Sequence, residues 1–172
     1  MKKSYIHVYT GDGKGKTTAA MGLAIRAAGR GLRVKVVQFL KGRATGEMFV
    51  MNDIDNIEFI QVSKCKKFFP DMSEDEKTAM RSEVRDFWPK IQGWLGDADL
   101  LILDEALGAI SVGLLSVSQV CDILDTRQTT EVVLTGRDSP DEIIDRAHVV
   151  TDMHAVKHYM DDGVKARAGI EY

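Results

Sequence analysis

Cysteine is nearly absent from this chain. The two that occur, Cys65 and Cys121, lie far apart and outside any CxxC pair, so neither a disulfide framework nor a thiolate metal site is indicated. Two ordinary reduced thiols are expected. An excess of charge is missing too: 23 Lys and Arg stand against 26 Asp and Glu, a formal net charge of −3. Non-specific binding of nucleic acid needs a basic field, so nucleic acid is not expected as a partner. No apolar run approaches the roughly 20 residues of a membrane span, and the amino end, MKKSYIHVYTGDG, has no apolar stretch of signal-peptide length. The expectation is a soluble cytoplasmic protein with no membrane partner. Internal repeats, low-complexity tracts and linkers are lacking, and no Ser-His-Asp pattern marks a protein nucleophile.

What the chain does have is 172 residues, 44% of them hydrophobic, enough for one well-buried domain over residues 1–172. Apolar runs of strand length alternate with segments of helical period, the pattern of a parallel α/β sheet. Strands are expected near Tyr5–Tyr9, Val34–Phe39, Ile57–Val62, Leu100–Leu103, Val132–Leu134 and Val149–Thr151. Helices fill most of the gaps. The alanine-rich TAAMGLAIRAAGRG stops at glycine, and capping boxes pair Ser73 with Glu76, Ser116 with Gln119 and Ser139 with Glu142, the last with Pro140 at the first helical position. Pro89 should kink or restart the helix within Ser73–Leu95, because it offers no backbone donor.

Behind the first strand, TGDGKGKTT crowds three glycines and two lysines into a turn that opens a helix. That is the arrangement of a P-loop, whose backbone N–H groups and helix N-terminus surround a polyphosphate. Thr10, Gly11, Asp12, Gly13, Lys14, Gly15, Lys16, Thr17 and Thr18 are therefore candidate ATP-binding residues. Lys16 supplies an ammonium for phosphate oxygens, and Thr17 a hydroxyl for Mg²⁺ or Mn²⁺. The usual motif has glycine five residues before Gly15, where this chain has Thr10. A tight left-handed connection between strand and helix is the structural alternative.

Asp104 and Glu105 end the apolar run LLILDE, where P-loop proteins carry an acid that holds the metal or its waters. Thr135, Gly136 and Arg137 end another strand in VVLTGRDSP, at the edge where open α/β sheets bind ligands. Arg137 reads as a phosphate clamp or as a surface arginine. His154 and His158 have zinc-helix spacing without the accompanying Glu, and are read as a solvated or core pair.

In order along the chain, TGDGKGKTTAAMGLAIRAAGRG, VKVVQFLKG, LLILDE, VVLTGRDSP, DRAHVVTDM and GVKARAGIEY resemble the corrinoid adenosyltransferases, the P-loop family that includes cob(I)yrinic acid a,c-diamide and cob(I)alamin adenosyltransferases. Thr10–Gly11, unusual for P-loops at large, is typical of that family. The resemblance implies a RecA-like, three-layer P-loop NTPase fold with a mostly parallel central sheet of about six strands. It also implies transfer of the 5′-deoxyadenosyl group of ATP to Co(I) of a corrinoid, with release of triphosphate. Lys14, Lys16 and Arg137 are then the catalytic cations, stabilising charge on the leaving group.

Further implications follow from the same resemblance. Arg26 contacts the nucleoside, and Glu105, before Asp104, is the metal ligand. ATP lies reversed, with its γ-phosphate deep in the loop. Phe68 and Phe69 face the corrinoid or else belong to the core, since the Gly-Phe-Thr-Trp of some relatives is missing. A reduced flavoprotein or other electron donor is implied as a partner, and a homodimer as the assembly. The terminal KARAGIEY closes the site, makes a subunit contact or docks as a tail. Two other functions fit a P-loop: an ATPase or small-molecule kinase, which yields ADP, and a regulatory module that binds ATP without turnover.

Overall fold

The computed structural model describes residues 3–42 and 44–172. Its strands are β1 (Ile6–Thr10), β2 (Val34–Gln38), β3 (Ile57–Gln61), β4 (Leu100–Asp104), β5 (Glu131–Thr135) and β6 (Val149–Asp152). They form one sheet in the order β3-β2-β4-β5-β1-β6, and every pairing is parallel. The elements between them are α1 (Lys16–Ala28), α2 (Gly46–Met51), a short 3-10 turn at Phe69–Asp71, α3 (Glu74–Gly93), α4 (Ala106–Ser111), α5 (Val117–Thr126) and α6 (Asp141–Ile144). Each expected strand is present, displaced by a residue or so at its ends.

Parallel strands covered on both faces must be apolar nearly throughout, and LLILD of β4 is buried at every position. Alternate residues feed two cores. Val34, Val36, Leu100, Ile102 and Val133 pack with Ala20, Met21 and Ala24 of α1. Val37, Leu101, Leu103, Val132 and Leu134 meet Val84, Trp88 and Ile91 of α3 and Val120, Ile123 and Leu124 of α5. The result is a helix-sheet-helix sandwich. Trp88 and Trp94 both belong to the second core. Cys65 and Cys121 are free thiols. Among the described residues, no helix is long and apolar enough to cross a membrane.

Ser73 and Ser116 form complete capping boxes with Glu76 and Gln119. Ser139 does not. Helix α6 takes Pro140 as its N-cap and starts at Asp141, one position later than the box requires, so the Ser139 hydroxyl is buried without a hydrogen-bond partner. Pro89 does not restart the helix, since α3 runs through it to Gly93. Trp88 and Ile91 anchor the helix on either side. Pro89 and Arg85, four residues earlier, are both exposed, which leaves the carbonyl without its donor on the wet side of the helix.

Candidate active site

The carboxyl ends of β1, β2, β4 and β5 converge beneath the P-loop, where the crossover connections of a parallel sheet leave a crevice. Gly11 and Gly15 have φ of 100° and 122°, left-handed values that glycine adopts without a steric cost. Gly13 is needed for room: a Cβ there would meet the backbone of Met153 and His154, and its N–H donates to the Met153 carbonyl at 2.6 Å. The loop is thus both a phosphate-type turn and a surface packed under the segment after β6. Thr10 and Asp12 serve that packing. The Thr10 carbonyl accepts from the Met153 N–H at 2.9 Å, and the Asp12 carboxylate accepts from the Ala155 N–H at 3.2 Å. That bond, more than any other cause, holds Asp12 below the usual carboxylate range.

Lys16, the first residue of α1, is 9% exposed. Its ammonium curls over the loop and donates to the carbonyls of Gly11 at 2.6 Å and Gly13 at 2.7 Å. Burial, and then the nearby Arg137 charge, push its pKa down. An ammonium hydrogen-bonded to two carbonyls, with the carboxylates of Glu105, Asp12 and Asp152 acting on it from further off, is poised for a polyanion that offers it negative charge at contact. Arg137 reaches toward the Asp12 carbonyl at 3.5 Å, on the same side of the loop.

Asp104 is fully buried and surrounded by four donors. Its Oδ1 accepts from the hydroxyls of Thr17 at 2.8 Å and Thr135 at 2.7 Å, and its Oδ2 from Gln38 at 2.9 Å and Lys41 at 3.2 Å. Glu105, next along the chain, has φ of 60°, an uncommon value for a residue with a side chain. Its N–H donates to the Thr135 hydroxyl at 2.9 Å, which fixes that turn. Burial raises the Glu105 pKa, and the Lys41 charge opposes the rise. A hydroxyl and two carboxylates are hard oxygen donors, and Mg²⁺ takes few protein ligands while keeping several waters. Thr17, Asp104 and Glu105 fit such an ion.

An open cavity of about 370 Å³ joins these parts. Lys14, Lys16, Thr17, Thr18 and Glu105 line one side, and Lys66, Lys67, Phe68 and Tyr172 line another. Phe68 is 74% exposed. Phe69 instead packs against the α3 core, its ring flanked by Lys77 and Arg81. Lys14 is met by the end of the chain, donating to the Ile170 carbonyl at 3.0 Å, with Glu171 at 3.7 Å. Arg26 stands on the exposed side of α1, outside the cavity lining, where its charge acts on Tyr9. His154 lies beside Asp152 at 3.1 Å, and no helix spans His154 and His158.

The geometry agrees with the outcome of comparison with known proteins. The sequence model of the family described as ATP:corrinoid adenosyltransferase BtuR/CobO/CobP matches residues 2–172. The chain belongs to that family. It is 37% identical to the corrinoid adenosyltransferase of Escherichia coli K12 over 175 residues, covering 99% of this chain and 87% of that protein. The corrinoid adenosyltransferase CobA of Salmonella typhimurium is equally similar, with the same coverage. That of Pseudomonas aeruginosa is 32% identical over 99% of this chain and 85% of its own length.

Gln38 and Lys41 escaped the sequence reading of the site. They belong to VKVVQFLKG, the second block of the family resemblance, and their signal is positional. A polar residue that ends an otherwise buried strand next to the acid-bearing strand faces that acid, as Gln38 does through its register partner Asp104.

Proposed function

We propose that this protein transfers the 5′-deoxyadenosyl group of ATP to the Co(I) centre of a corrinoid, as an ATP:corrinoid adenosyltransferase of the cobalamin or cob(I)yrinic acid a,c-diamide type. The observation that carries this reading is a cavity lined both by the P-loop Lys14, Lys16 and Thr17 and by the exposed Phe68 and Tyr172, in a chain matched from end to end by the family. Polyphosphate and the apolar face of a large macrocycle have walls of the matching kind within one space.

Co(I) attacks the ribose C5′, so the Co–C bond forms while the C5′–O bond breaks and its electron pair leaves with triphosphate. No protein nucleophile is required. The chain's part is to orient C5′ and to neutralise a leaving group of several negative charges. Lys16 exchanges its two loop carbonyls for phosphate oxygens, and Lys14 and Arg137 add charge from either side. ATP lies with its γ-phosphate in the loop and C5′ turned toward Phe68. Thr17, Asp104 and Glu105 hold Mg²⁺ or Mn²⁺, which supplies further positive charge to the triphosphate. Arg26 has the nucleoside as its partner in this scheme. Phe68 gives the corrinoid an apolar wall, while Phe69 holds the loop that carries it onto the core.

A reduced flavoprotein or another electron donor supplies the electron that converts Co(II) to Co(I). The protein works in the cytoplasm as a homodimer. Phosphorus NMR of the products tests the reading: inorganic triphosphate is expected, whereas ADP in its place would replace adenosyl transfer by phosphoryl transfer.

A further inference from the structure

A third lysine enters the site from outside the loop motif. The Lys41 ammonium lies 3.0 Å from the Thr17 hydroxyl oxygen, 3.2 Å from Asp104 Oδ2 and 3.9 Å from Glu105 Oε1. These are the three side chains whose oxygens fit a divalent cation. The loop that carries Lys41 is built in detail. Leu40 has φ of 60°, a strained value for a bulky residue. Gly42 lies so close to Cys65 that a Cβ would run into the Cys65 carbonyl. Strain and tight packing on either side set Lys41 in its place.

Two cations compete for these oxygens. A magnesium ion needs these oxygens at about 2.0–2.1 Å, and would compete for them with an ammonium already hydrogen-bonded to Thr17 and Asp104. A divalent charge beside it would also be repelled across a few ångströms of partly buried space. We propose that Lys41 is the resident counter-cation of the Thr17–Asp104–Glu105 cluster, and that it yields its place to the divalent ion only when a polyphosphate gives its ammonium a new partner. Free metal is thereby kept out of the empty site, and metal and nucleotide enter together. Lys41 is a positioning residue in this scheme, and the scheme rests on the divalent-cation site of the proposed function.

The test is Mn²⁺ titration followed by electron paramagnetic resonance, on wild-type protein and on Lys41→Gln, Lys41→Met and Lys41→Arg variants, each checked for folding by circular dichroism. Without nucleotide, the two neutral variants should bind Mn²⁺ about tenfold more tightly than wild type or more, while Lys41→Arg stays near wild type because its charge remains. With saturating ATP, the gap between neutral variants and wild type should close to about threefold or less. Neutral variants within about twofold of wild type would overturn the proposal, as would an Arg variant that binds like them or a gap that persists with ATP. The Met variant reads the effect if the Gln variant does not fold. This readout needs neither corrinoid nor turnover. A wild type that forms no adenosylated corrinoid would refute the proposed function while leaving the Mn²⁺ result to judge Lys41.

Discussion

Asp104→Asn changes one buried atom from oxygen to nitrogen and leaves the volume unchanged, so its effect isolates the hydrogen bonds at the heart of the site. The carboxylate accepts four of them, from Thr17, Thr135, Gln38 and Lys41. An amide accepts through one atom only. If its nitrogen takes the Oδ2 place, it confronts the Lys41 ammonium, which can only donate, and the Gln38 nitrogen, held in that orientation because the Gln38 oxygen accepts from Gln61. Placed at Oδ1 instead, it keeps its oxygen toward Gln38 and Lys41 and makes the hydroxyls of Thr17 and Thr135 turn and accept, each through the lone pair left free by Lys41 and by the Glu105 N–H. That placement keeps all four contacts but takes the carboxylate's charge out of each, a weakening of about 1 kcal/mol per bond. Relief from burying a negative charge offsets part of this. The net loss is about 3 kcal/mol, which lowers Tm by about 6–12 °C for a domain of this size. Differential scanning calorimetry of nucleotide-free, metal-free protein measures it. A variant melting within about 2 °C of wild type would show that the four bonds do not hold the site together.

Other consequences can be measured independently. Lys16→Ala removes the ammonium poised over the loop and should weaken ATP binding about a hundredfold or more by calorimetry, with an unchanged circular dichroism spectrum; near-wild-type affinity would refute the loop assignment. Phe68→Ala should slow the reaction started from Co(II) more than the reaction supplied with Co(I), whereas Phe69→Ala, which removes a ring packed on the core, should mainly lower Tm. A reversed pattern would exchange the roles of the two rings. Glu171 is held at about 2 by its hydrogen bonds with Arg167 and then Tyr159. Because its pKa is depressed in the folded protein, its contribution to tail docking is present above the ordinary carboxylate range and is lost as pH falls toward about 2. The hydrogen-exchange protection factors of residues 159–172, corrected for the intrinsic rate at each pH, should therefore fall on acidification in wild type, and Glu171→Gln should remove that fall.

Most of the frame was legible because parallel strands are continuous apolar runs. LLILD reads as a buried strand whatever surrounds it, but its register with VKVVQ comes only from the fold, because a run buried on both faces has no alternation to set it. The P-loop was legible because three glycines and a GKT have few other uses together. Where reading failed, the deciding interaction was tertiary. Pro89 is tolerated inside α3 because Trp88 and Ile91 dock on the core, a fact outside any local rule. Ser139 loses its box because the helix begins after Pro140. Phe68 and Phe69 are adjacent and chemically identical, and only the fold sends one ring to the cavity and the other to the core. Lys41 is one of many lysines until β2 is seen to lie beside β4. The glycines of the loop carry a second burden invisible in the motif, since Gly13 makes room for Met153.

The central claim is that this site makes a cobalt–carbon bond. The most direct measurement is to mix the protein anaerobically with Mg·ATP and chemically reduced cob(I)alamin and to follow the corrinoid spectrum before and after illumination. A light-sensitive adenosylated corrinoid that accumulates in step with triphosphate is expected. An unchanged corrinoid, with ATP intact or converted to ADP, would contradict it.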